Sequence, residues 1–249
     1  DKILNCRAES IEKIENGFCV NNKLFTKNIF FATGSDCTMG ELSLDLLRHF
    51  GHTVKEMRPS LVWLKTDQRY IKGLDGLRAK AKVCLLDGGK KVALQTGEIL
   101  FKKEGLSGIA VLMLSAYVAR NNGKYRLSID FAWDMAEEEI KKYDLEGVVR
   151  KEIALNIKKQ AKDRNISVHT VVKDFILEVT ALGEKKYSQV ANGGFELKDI
   201  NSKTMQSKLV RGLYIGGECM DVDGQCGGYN LHWAFASAMA AMDNMVFDR

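Results

Sequence analysis

Two short apolar runs that end in glycine constrain the fold more than any other feature of this chain. Residues 27–34 read KNIFFATG and residues 212–218 read GLYIGGE, so each run stops at small residues. Continuous apolar runs of this length are typical of parallel strands that are covered on both faces. In open α/β sheets, ligands bind just beyond the carboxyl ends of such strands, where glycine lets a ligand approach the backbone. The runs therefore predict an α/β fold with a ligand crevice beside Gly34 and Gly217.

A pair of glycines before the last helical segment supplies a second ligand signal. Gly227 and Gly228 precede a segment rich in Ala and Met that runs through Met245. The first turn of a helix carries unpaired N–H groups and the positive end of the helix dipole, which stabilise an anion or an electron-rich ring edge. Glu218 and Asp221 lie just upstream, where carboxylates can accept hydrogen bonds from sugar hydroxyls. Each glycine pair alone also fits a plain turn with a helix cap, and their joint occurrence at strand ends favours the ligand site.

The composition excludes several classes of protein. The chain has 249 residues, 45% of them hydrophobic, one proline and a formal net charge of +5, so it is neither disordered nor collagen-like. No stretch approaches the roughly 20 uncharged apolar residues that span a bilayer. Lysines occur as scattered pairs among acidic residues, which is typical of solvated surface, and no basic run is interleaved with aromatic residues. The sequence therefore predicts neither a nucleic-acid partner nor a membrane partner.

The cysteines and histidines do not form a metal-binding pattern. Six cysteines and four histidines are present, but no C-x-x-C pair, and the start of a calcium loop at Asp221 lacks the required glycine and glutamate. Scattered thiols in a chain of this length predict reduced cysteines and a cytoplasmic protein. Cys219 and Cys226 are interpreted as ordinary thiols, with a redox pair as the alternative. His232 is interpreted as a partly buried structural histidine, with proton donation near a cofactor as the alternative.

Changes in the pattern of apolar and polar residues divide the first half of the chain. Asn16-Gly17 between alternating apolar residues predicts a hairpin turn. A helix is predicted over residues 44–50, with Gly51 as its stop. After Pro59 the pattern becomes one of short strands as far as about residue 131, interrupted by an apolar helix over 109–119.

The second half is predicted to begin with helices and to return to strands. Residues 136–182 are predicted to be helical, and a strand from Tyr187 is predicted to lead into a Gly193-Gly194 turn. No G-x-G-x-x-G is present, although the first βαβ turn of a dinucleotide fold normally carries it. Either no dinucleotide binds, or the first βαβ unit lies upstream of Asp1. The apolar stripe on which the last part of the helical prediction depends consists of Val172, Phe175, Ile176 and Val179.

Four motifs together resemble one family. Residues 204–241, TMQSKLVRGLYIGGECMDVDGQCGGYNLHWAFASAMAA, closely resemble the C-terminal signature of BaiN/YhiN-like flavoproteins, also called the aminoacetone oxidase family of NAD(P)/FAD-dependent oxidoreductases. KNIFFATG at 27–34 resembles the strand that closes on FAD in two-dinucleotide-binding flavoproteins. FKKEGLSG at 101–108 resembles the family's F-T-H-x-G-x-S-G, and QVANGGF at 189–195 resembles its V-T-x-G-G-V. The resemblance runs through essentially the whole chain.

The resemblance implies an α/β fold made of two parts. Part of a two-dinucleotide-binding FAD domain is expected over 1–59 and 188–249, discontinuous and without its first βαβ unit. An insert domain is expected over 60–187, with a β-barrel at about 60–131 and a small helical subdomain at about 134–187. The changes in residue pattern at Pro59 and Tyr187 agree with these boundaries.

The resemblance also implies a cofactor and its contacts. The chain would be an N-terminally truncated fragment of an enzyme that transfers hydride between NAD(P)H, FAD and an unknown small-molecule acceptor, inactive on its own. No acid or base is assigned, and the protein is expected to orient the cofactor and tune its potential. The expected FAD contacts are Thr33, Gly34, Gly217, Glu218, Asp221, Gly227, Gly228, Tyr229, Asn230 and Leu231.

The chain departs from the family pattern at several positions. Ser35 stands where the family has glycine, Lys102-Lys103 replace Thr-His in the insert motif, and Cys226 and His232 replace Thr and Gln near the last helix. These departures leave a rival hypothesis: a non-catalytic, flavoprotein-like module that binds a partner through its insert domain. The flavoenzyme requires the two strand ends and the start of the last helix to converge.

Overall fold

The structure, a computed structural model, describes residues 6–37 and 44–245. The chain forms two compact units, one combining Asp1–Arg58 with Val190–Arg249 and the other consisting of Pro59–Gln189. We name them the split unit and the barrel unit. Among the described residues, no helix has the combined length and apolarity that crossing a bilayer requires.

Strands outnumber helices in the described part of the chain. Along the chain the strands are β1 (Ile11–Ile14), β2 (Gly17–Val20), β3 (Leu24–Thr26), β4 (Ile29–Phe31), β5 (Val54–Ser60), β6 (Leu64–Thr66), β7 (Arg78–Asp87), β8 (Lys90–Lys102), β9 (Gly105–Ser107), β10 (Tyr125–Asp130), β11 (Phe175–Leu182), β12 (Val190–Phe195) and β13 (Leu213–Ile215). The α-helices are α1 (Ile109–Arg120), α2 (Glu137–Ile140), α3 (Leu145–Val148), α4 (Lys151–Arg164), α5 (Val168–Lys173) and α6 (Tyr229–Asn244).

The split unit contains three small sheets and the long helix α6. β1, β2 and β3 form an antiparallel meander. The predicted hairpin is confirmed, but its turn residues are Glu15 and Asn16, because Gly17 is the first residue of β2 and pairs with Ile14. β5 pairs with β12, and β4 pairs with β13. The β4–β13 pair is parallel, with Phe31 opposite Ile215, so the two glycine-ended runs of the sequence lie side by side.

The barrel unit is closed by hydrogen bonds between six strands in the order β10-β11-β6-β9-β8-β7. β10 shows the expected period of two, because Tyr125, Leu127 and Ile129 are buried while the residues between them are partly exposed. Phe101 and Phe175 are completely buried in its core. Closure removes the free edges that an open sheet would leave.

The helical prediction for residues 136–182 is wrong at its end. Helix α5 ends at Lys173, and Phe175–Leu182 is strand β11, which pairs with β10 and β6 to close the barrel. The apolar residues from 172 to 179 fit a helical period, but Phe175 and Leu177 are buried and Glu178 is exposed, which is the alternation of a strand. Pairing within the barrel favours the strand over the helix, because β11 satisfies the backbone hydrogen-bonding groups of its neighbours β10 and β6. The helical part of the insert is therefore shorter than the predicted 134–187.

Two smaller predictions also need correction. Gly193 and Gly194 lie inside β12 and do not form a turn; their φ angles are +103° and +106°. A Cβ on Gly194 would collide with the backbone carbonyl of Cys219, so the glycine permits a close approach between backbones. The helix predicted over 44–50 is a 3₁₀-helix, Leu44–Phe50, whose Leu47 is fully buried.

Candidate functional site

The carboxyl ends of β4 and β13 meet at one edge of the split unit. The N–H of Gly216 donates to the carbonyl of Phe31 over 3.1 Å, which extends the parallel pairing to the last residues of both strands. Thr33-Gly34 follow one strand and Gly217-Glu218 follow the other. The structure therefore brings these four predicted site residues to the same edge of the sheet.

A largely apolar cavity of about 410 Å³ lies against β4. Ile11 and Val20 of the meander line it together with Ile29, Phe31 and Thr33. The hydroxyl oxygen of Thr33 is buried, and within the described residues it has no hydrogen-bond partner. A buried hydroxyl without a partner is costly, so this atom marks a place where a polar ligand group would be stabilised.

Helix α6 holds the strand end through hydrogen bonds to both backbone groups of Gly217. Ser237 Oγ accepts the Gly217 N–H over 2.9 Å and donates to Ala234 O. The indole N–H of Trp233 donates to the Gly217 carbonyl over 3.1 Å. These side chains lie one turn apart on α6, so the helix and the end of β13 are fixed against each other.

Two glycines of the site leave open space beside the backbone. Gly217 has φ +74° and Gly228 has φ +91°, and a Cβ built on either would have no atom of the described residues within 4 Å. Positive φ favours glycine, and the empty surroundings mean that this conformation is not imposed by crowding within the described residues. Both positions therefore present bare backbone to whatever occupies the space.

The start of α6 carries the N–H groups that were predicted to face a ligand. Gly228 is the N-cap, and the N–H of His232 makes the first intrahelical hydrogen bond, to Gly228 O over 2.9 Å. The N–H groups of Tyr229, Asn230 and Leu231 precede this bond and lie at the positive end of the dipole. The Asn230 side chain bonds both backbone groups of Gly224, at 2.7 and 3.0 Å, and so fixes the loop before the helix.

The two predicted carboxylates are held by other groups of the split unit. Glu218 Oε1 accepts the Ala191 N–H over 3.0 Å. Asp221 Oδ2 accepts from Lys55 Nζ at 2.7 Å, and the Asp221 N–H donates to Phe195 O. Asp221 therefore serves an ion pair in this structure.

The thiol and histidine beside the site have different environments. Burial raises the pKa of the Cys219 thiol to about 12, and its Sγ contacts the Gly216 carbonyl at 3.1 Å. Burial also raises the pKa of Cys226. Neither cysteine forms a disulfide, and a thiol with a pKa as high as that of Cys219 is unreactive at neutral pH. His232 is exposed, so its interpretation as a partly buried structural histidine is wrong.

Sequence reasoning missed the residues that organise the site. Lys55, Ala191, Ser237 and Trp233 all bond predicted site residues. Lys55 and Ala191 come from strands far away in sequence, and nothing local marks them. Trp233 and Ser237 carried a weak signal, because a spacing of four places their side chains on the same face of the helix.

Comparison with known proteins identifies the class. A family model for the HI0933-like protein Rossmann domain matches residues 3–244. The chain therefore belongs to the HI0933-like family, which confirms the resemblance found in the sequence motifs.

Curated proteins that are similar to this chain include two with the same description and one reductase. The 3-dehydro-bile acid delta(4,6)-reductase of Clostridium scindens is 28% identical over 226 residues, covering 79% of this chain and 55% of that protein. The ribosomal RNA dihydrouridine synthase of Haemophilus influenzae is 29% identical, covering 94% and 64%. The protein with that description in Escherichia coli is 26% identical, covering 98% and 67%. The chain thus spans between about half and two thirds of the length of these relatives.

The residues at the strand ends fit a flavin nucleotide. The buried Thr33 hydroxyl lacks a partner among the described residues, and Gly217 and Gly228 leave space where a side chain would otherwise stand. The start of α6 offers N–H donors to an electron-rich ring edge.

Proposed function

We propose that the split unit is the FAD-binding part of an oxidoreductase that takes electrons from NAD(P)H and passes them to an organic acceptor. Membership of the HI0933-like family supports this proposal. The relatives support it too, because one is named a reductase and dihydrouridine contains two hydrogens more than uridine. We propose an acceptor of the kind that the relatives' names indicate: a small unsaturated molecule or a base within an RNA strand.

One observation carries the proposal. Ser237 and Trp233 of α6 bond Gly217 at the end of β13, and β13 pairs in parallel with β4. The ends of the two strands and the first half of α6 therefore lie together, which supports a ring held between backbone groups. If each of these glycines formed only a turn, the two strand ends and α6 would not need to lie together.

We assign different parts of FAD to different residues of the split unit. The Thr33 hydroxyl would donate to a polar atom of the cofactor, and Gly217 would let the ring lie against the backbone. The N–H groups at the start of α6 would donate to the ring edge that becomes more negative on reduction. The Glu218 carboxylate, which the Ala191 N–H holds in place, would accept from ribityl hydroxyls. When bound, FAD supplies the ability to accept and give electrons in pairs.

The domain assignment follows the same proposal. The FAD-binding domain is proposed over 1–59 and 188–249, and the insert over 60–187. Residues 1–249 contain no G-x-G-x-x-G, the motif that holds the pyrophosphate in a dinucleotide fold, so we assign no residue of this chain to the pyrophosphate. On α6, one stripe of large apolar side chains is exposed, namely Leu231, Phe235, Met239 and Met242.

The test is a pair of matched substitutions in the polypeptide as its gene encodes it. Gly228→Glu places a carboxylate at the start of α6, where it would repel the ring edge and occupy its space. Gly73→Glu is the control, because Gly73 has a similar φ of +84°, equally open surroundings and a place in the barrel unit. We expect Gly228→Glu to weaken FAD binding at least tenfold, measured by quenching of flavin fluorescence, and Gly73→Glu to leave it unchanged.

Two results would contradict the proposal. One is unchanged FAD affinity and redox potential in Gly228→Glu. The other is a colourless polypeptide that cannot be reconstituted with FAD, which would favour the rival hypothesis of a non-catalytic binding module.

A further inference from the structure

Five side chains of the barrel unit alternate between cation and aromatic ring. Lys65 Nζ lies 5.5 Å from the Trp63 ring centroid, and Lys102 Nζ lies 4.9 Å from the same centroid. Lys102 also lies 5.7 Å from the Tyr187 centroid, and Lys186 lies 4.9 Å from it. We name this set the lysine–aromatic ladder; in spatial order it consists of Lys65, Trp63, Lys102, Tyr187 and Lys186.

The barrel builds the ladder from three separate segments. Gly105 is paired with Lys65 of β6 and also with Lys102 of β8, so the two lysines flank it across the sheet. The Gly183 N–H donates to the Trp63 carbonyl over 2.8 Å, and a Cβ on Gly183 would collide with the indole. Gly183 therefore makes room for Trp63, and the ring's position follows from the closure of the barrel.

The ladder has a fixed end and an open end. Trp63 is only 7% exposed, whereas Tyr187 is 57% exposed. Lys65 and Lys186 have carboxylate partners, Glu104 at 3.5 Å and Glu184 at 2.8 Å. Lys102 has no carboxylate partner among the residues that the structure describes. The open end thus combines an accessible ring, one ammonium group without a described carboxylate partner, and one exposed ion pair.

We propose that the open end of the ladder binds single-stranded RNA, with a base on Tyr187 and phosphates on Lys102 and Lys186. Stacking of a base on an exposed ring is worth more than an exposed cation–π contact, so a base displaces the lysines from the ring. Each displaced ammonium then neutralises a phosphate and releases a counterion. The proposal rests on the proposed reductase function and names RNA as the class to which its acceptor belongs.

The sequence expectation of no nucleic-acid partner was based on contiguous runs. Residues 63–65, 102 and 186–187 are far apart in the chain, and none of these segments alone is a basic run interleaved with aromatic residues. Only the closure of the barrel places them together, so this surface has no local signature.

The experiment measures binding of a fluorescein-labelled twelve-nucleotide oligouridylate by anisotropy, at salt concentrations from about 50 to 200 mM. Replacing both Lys102 and Lys186 by Gln should reduce the slope of log affinity against log salt by about 1.4, because each phosphate contact on a single strand contributes about 0.7. Tyr187→Ala should weaken binding about tenfold at an unchanged slope. Tyr187→Phe retains the ring and should bind like the parent protein.

The matched control is Lys141→Gln. Lys141 pairs with Glu137 at 3.3 Å, much as Lys186 pairs with Glu184, and it lies outside the ladder. Lys186→Gln should weaken binding and Lys141→Gln should not. Equal effects of the two substitutions, or no salt-dependent binding of the oligouridylate, would overturn the proposal. It would also be overturned if the protein bound vesicles of phosphatidylglycerol and phosphatidylcholine but not the oligonucleotide.

Failure of the ladder and failure of the flavin site give different results. RNA binding is measured on each preparation together with its flavin content and its reduction by NADH. Loss of RNA binding in the ladder variants with flavin reduction intact supports the ladder. A parent protein that reduces its flavin but does not bind the oligonucleotide contradicts the ladder alone, and one that binds the oligonucleotide but takes up no FAD contradicts the proposed function alone.

Discussion

The barrel unit and the split unit differ in how completely they bury their apolar side chains. In the barrel unit six strands pair all the way round, and Phe101, Phe175 and Leu85 are fully buried inside. In the split unit the sheets have two or three strands, and Phe235 and Leu231 of α6 are 71% and 69% exposed. Closed hydrogen bonding thus accompanies a full core, whereas the proposed cofactor crevice lies in the unit that is left open.

This difference separates two kinds of requirement on the sequence. A closed barrel needs each core side chain to fill its volume, because interiors are packed as densely as organic crystals. A crevice needs backbone to remain uncovered, and Gly217 and Gly228 meet that need with empty space beside them. Substitutions should therefore act mainly on stability in the barrel unit and mainly on ligand binding at the crevice.

The largest expected effect is on the free energy of unfolding, and it is tested by comparing substitutions of two phenylalanines. Phe101→Ala removes a ring that is completely buried in the barrel core, and it should lower the free energy of unfolding by about 3–5 kcal/mol. Phe235→Ala removes a ring that is 71% exposed on α6 and should change it by no more than about 0.5 kcal/mol. Urea denaturation followed by circular dichroism measures both. Equal losses would mean that the exposed stripe of α6 is covered in solution.

The next effect compares two glycines of the split unit. Gly194→Ala combines a φ of +106° with a collision against the Cys219 carbonyl, so we expect a loss of at least about 2 kcal/mol in stability. The added methyl group of Gly217→Ala meets no atom of residues 6–37 or 44–245, so this substitution should cost about 1 kcal/mol, from backbone strain alone. FAD titration should give the opposite order, with the greater loss in Gly217→Ala provided that both variants fold. If Gly217→Ala is the less stable variant, the space beside it is filled.

Local sequence patterns were sufficient to predict the elements that position the crevice. The apolar runs before Gly34 and Gly217 predicted two strands, and their parallel pairing is confirmed because burial on both faces leaves a continuous apolar pattern. The hairpin at Asn16-Gly17 was equally local. The strand ends and the start of α6 could therefore be predicted, since each depends on residues within one short segment.

The errors occurred where distant pairing decides the structure. Phe175–Leu182 has apolar spacing that fits both a helix and a strand, and only the neighbouring strands β10 and β6 select the strand. Gly193-Gly194 have the composition of a turn, but backbone from two other segments passes against them. The Lys55–Asp221 ion pair and the lysine–aromatic ladder escaped prediction for the same reason.

A smaller effect follows from His52, which is buried in the split unit. Its Nε2 lies 2.8 Å from Ser207 Oγ and its Nδ1 lies 3.3 Å from Leu47 O, and burial lowers the pKa of His52 below its ordinary value of 6.5. As pH falls below about 6.5, the unfolded chain binds a proton at His52 before the folded chain does. The free energy of unfolding should therefore fall in that window, by at most about 1.4 kcal/mol per pH unit.

The His52 contribution is isolated by difference. His52→Asn keeps a polar side chain and removes the titration, so the difference in unfolding free energy between parent and variant should shrink as pH falls from 7 towards 5. Ser207 supports this direction, because its oxygen accepts the N–H groups of Leu209 and Val210 and its proton is therefore available to His52. A difference that stays constant over this range would mean that the imidazole is not held neutral.

The smallest expected effect concerns the ion pair beside the crevice. Lys55 is about half exposed, so its pair with Asp221 should contribute at most about 1 kcal/mol to stability, and about 1 M salt should abolish that contribution. A double-mutant cycle with Lys55→Gln and Asp221→Asn measures the coupling in low and high salt. The same variants should change FAD affinity little if Asp221 serves only the pair. A fall in affinity in Asp221→Asn but not in Lys55→Gln would restore Asp221 as a cofactor ligand, and would show that the crevice, unlike the barrel, uses one side chain for both stability and binding.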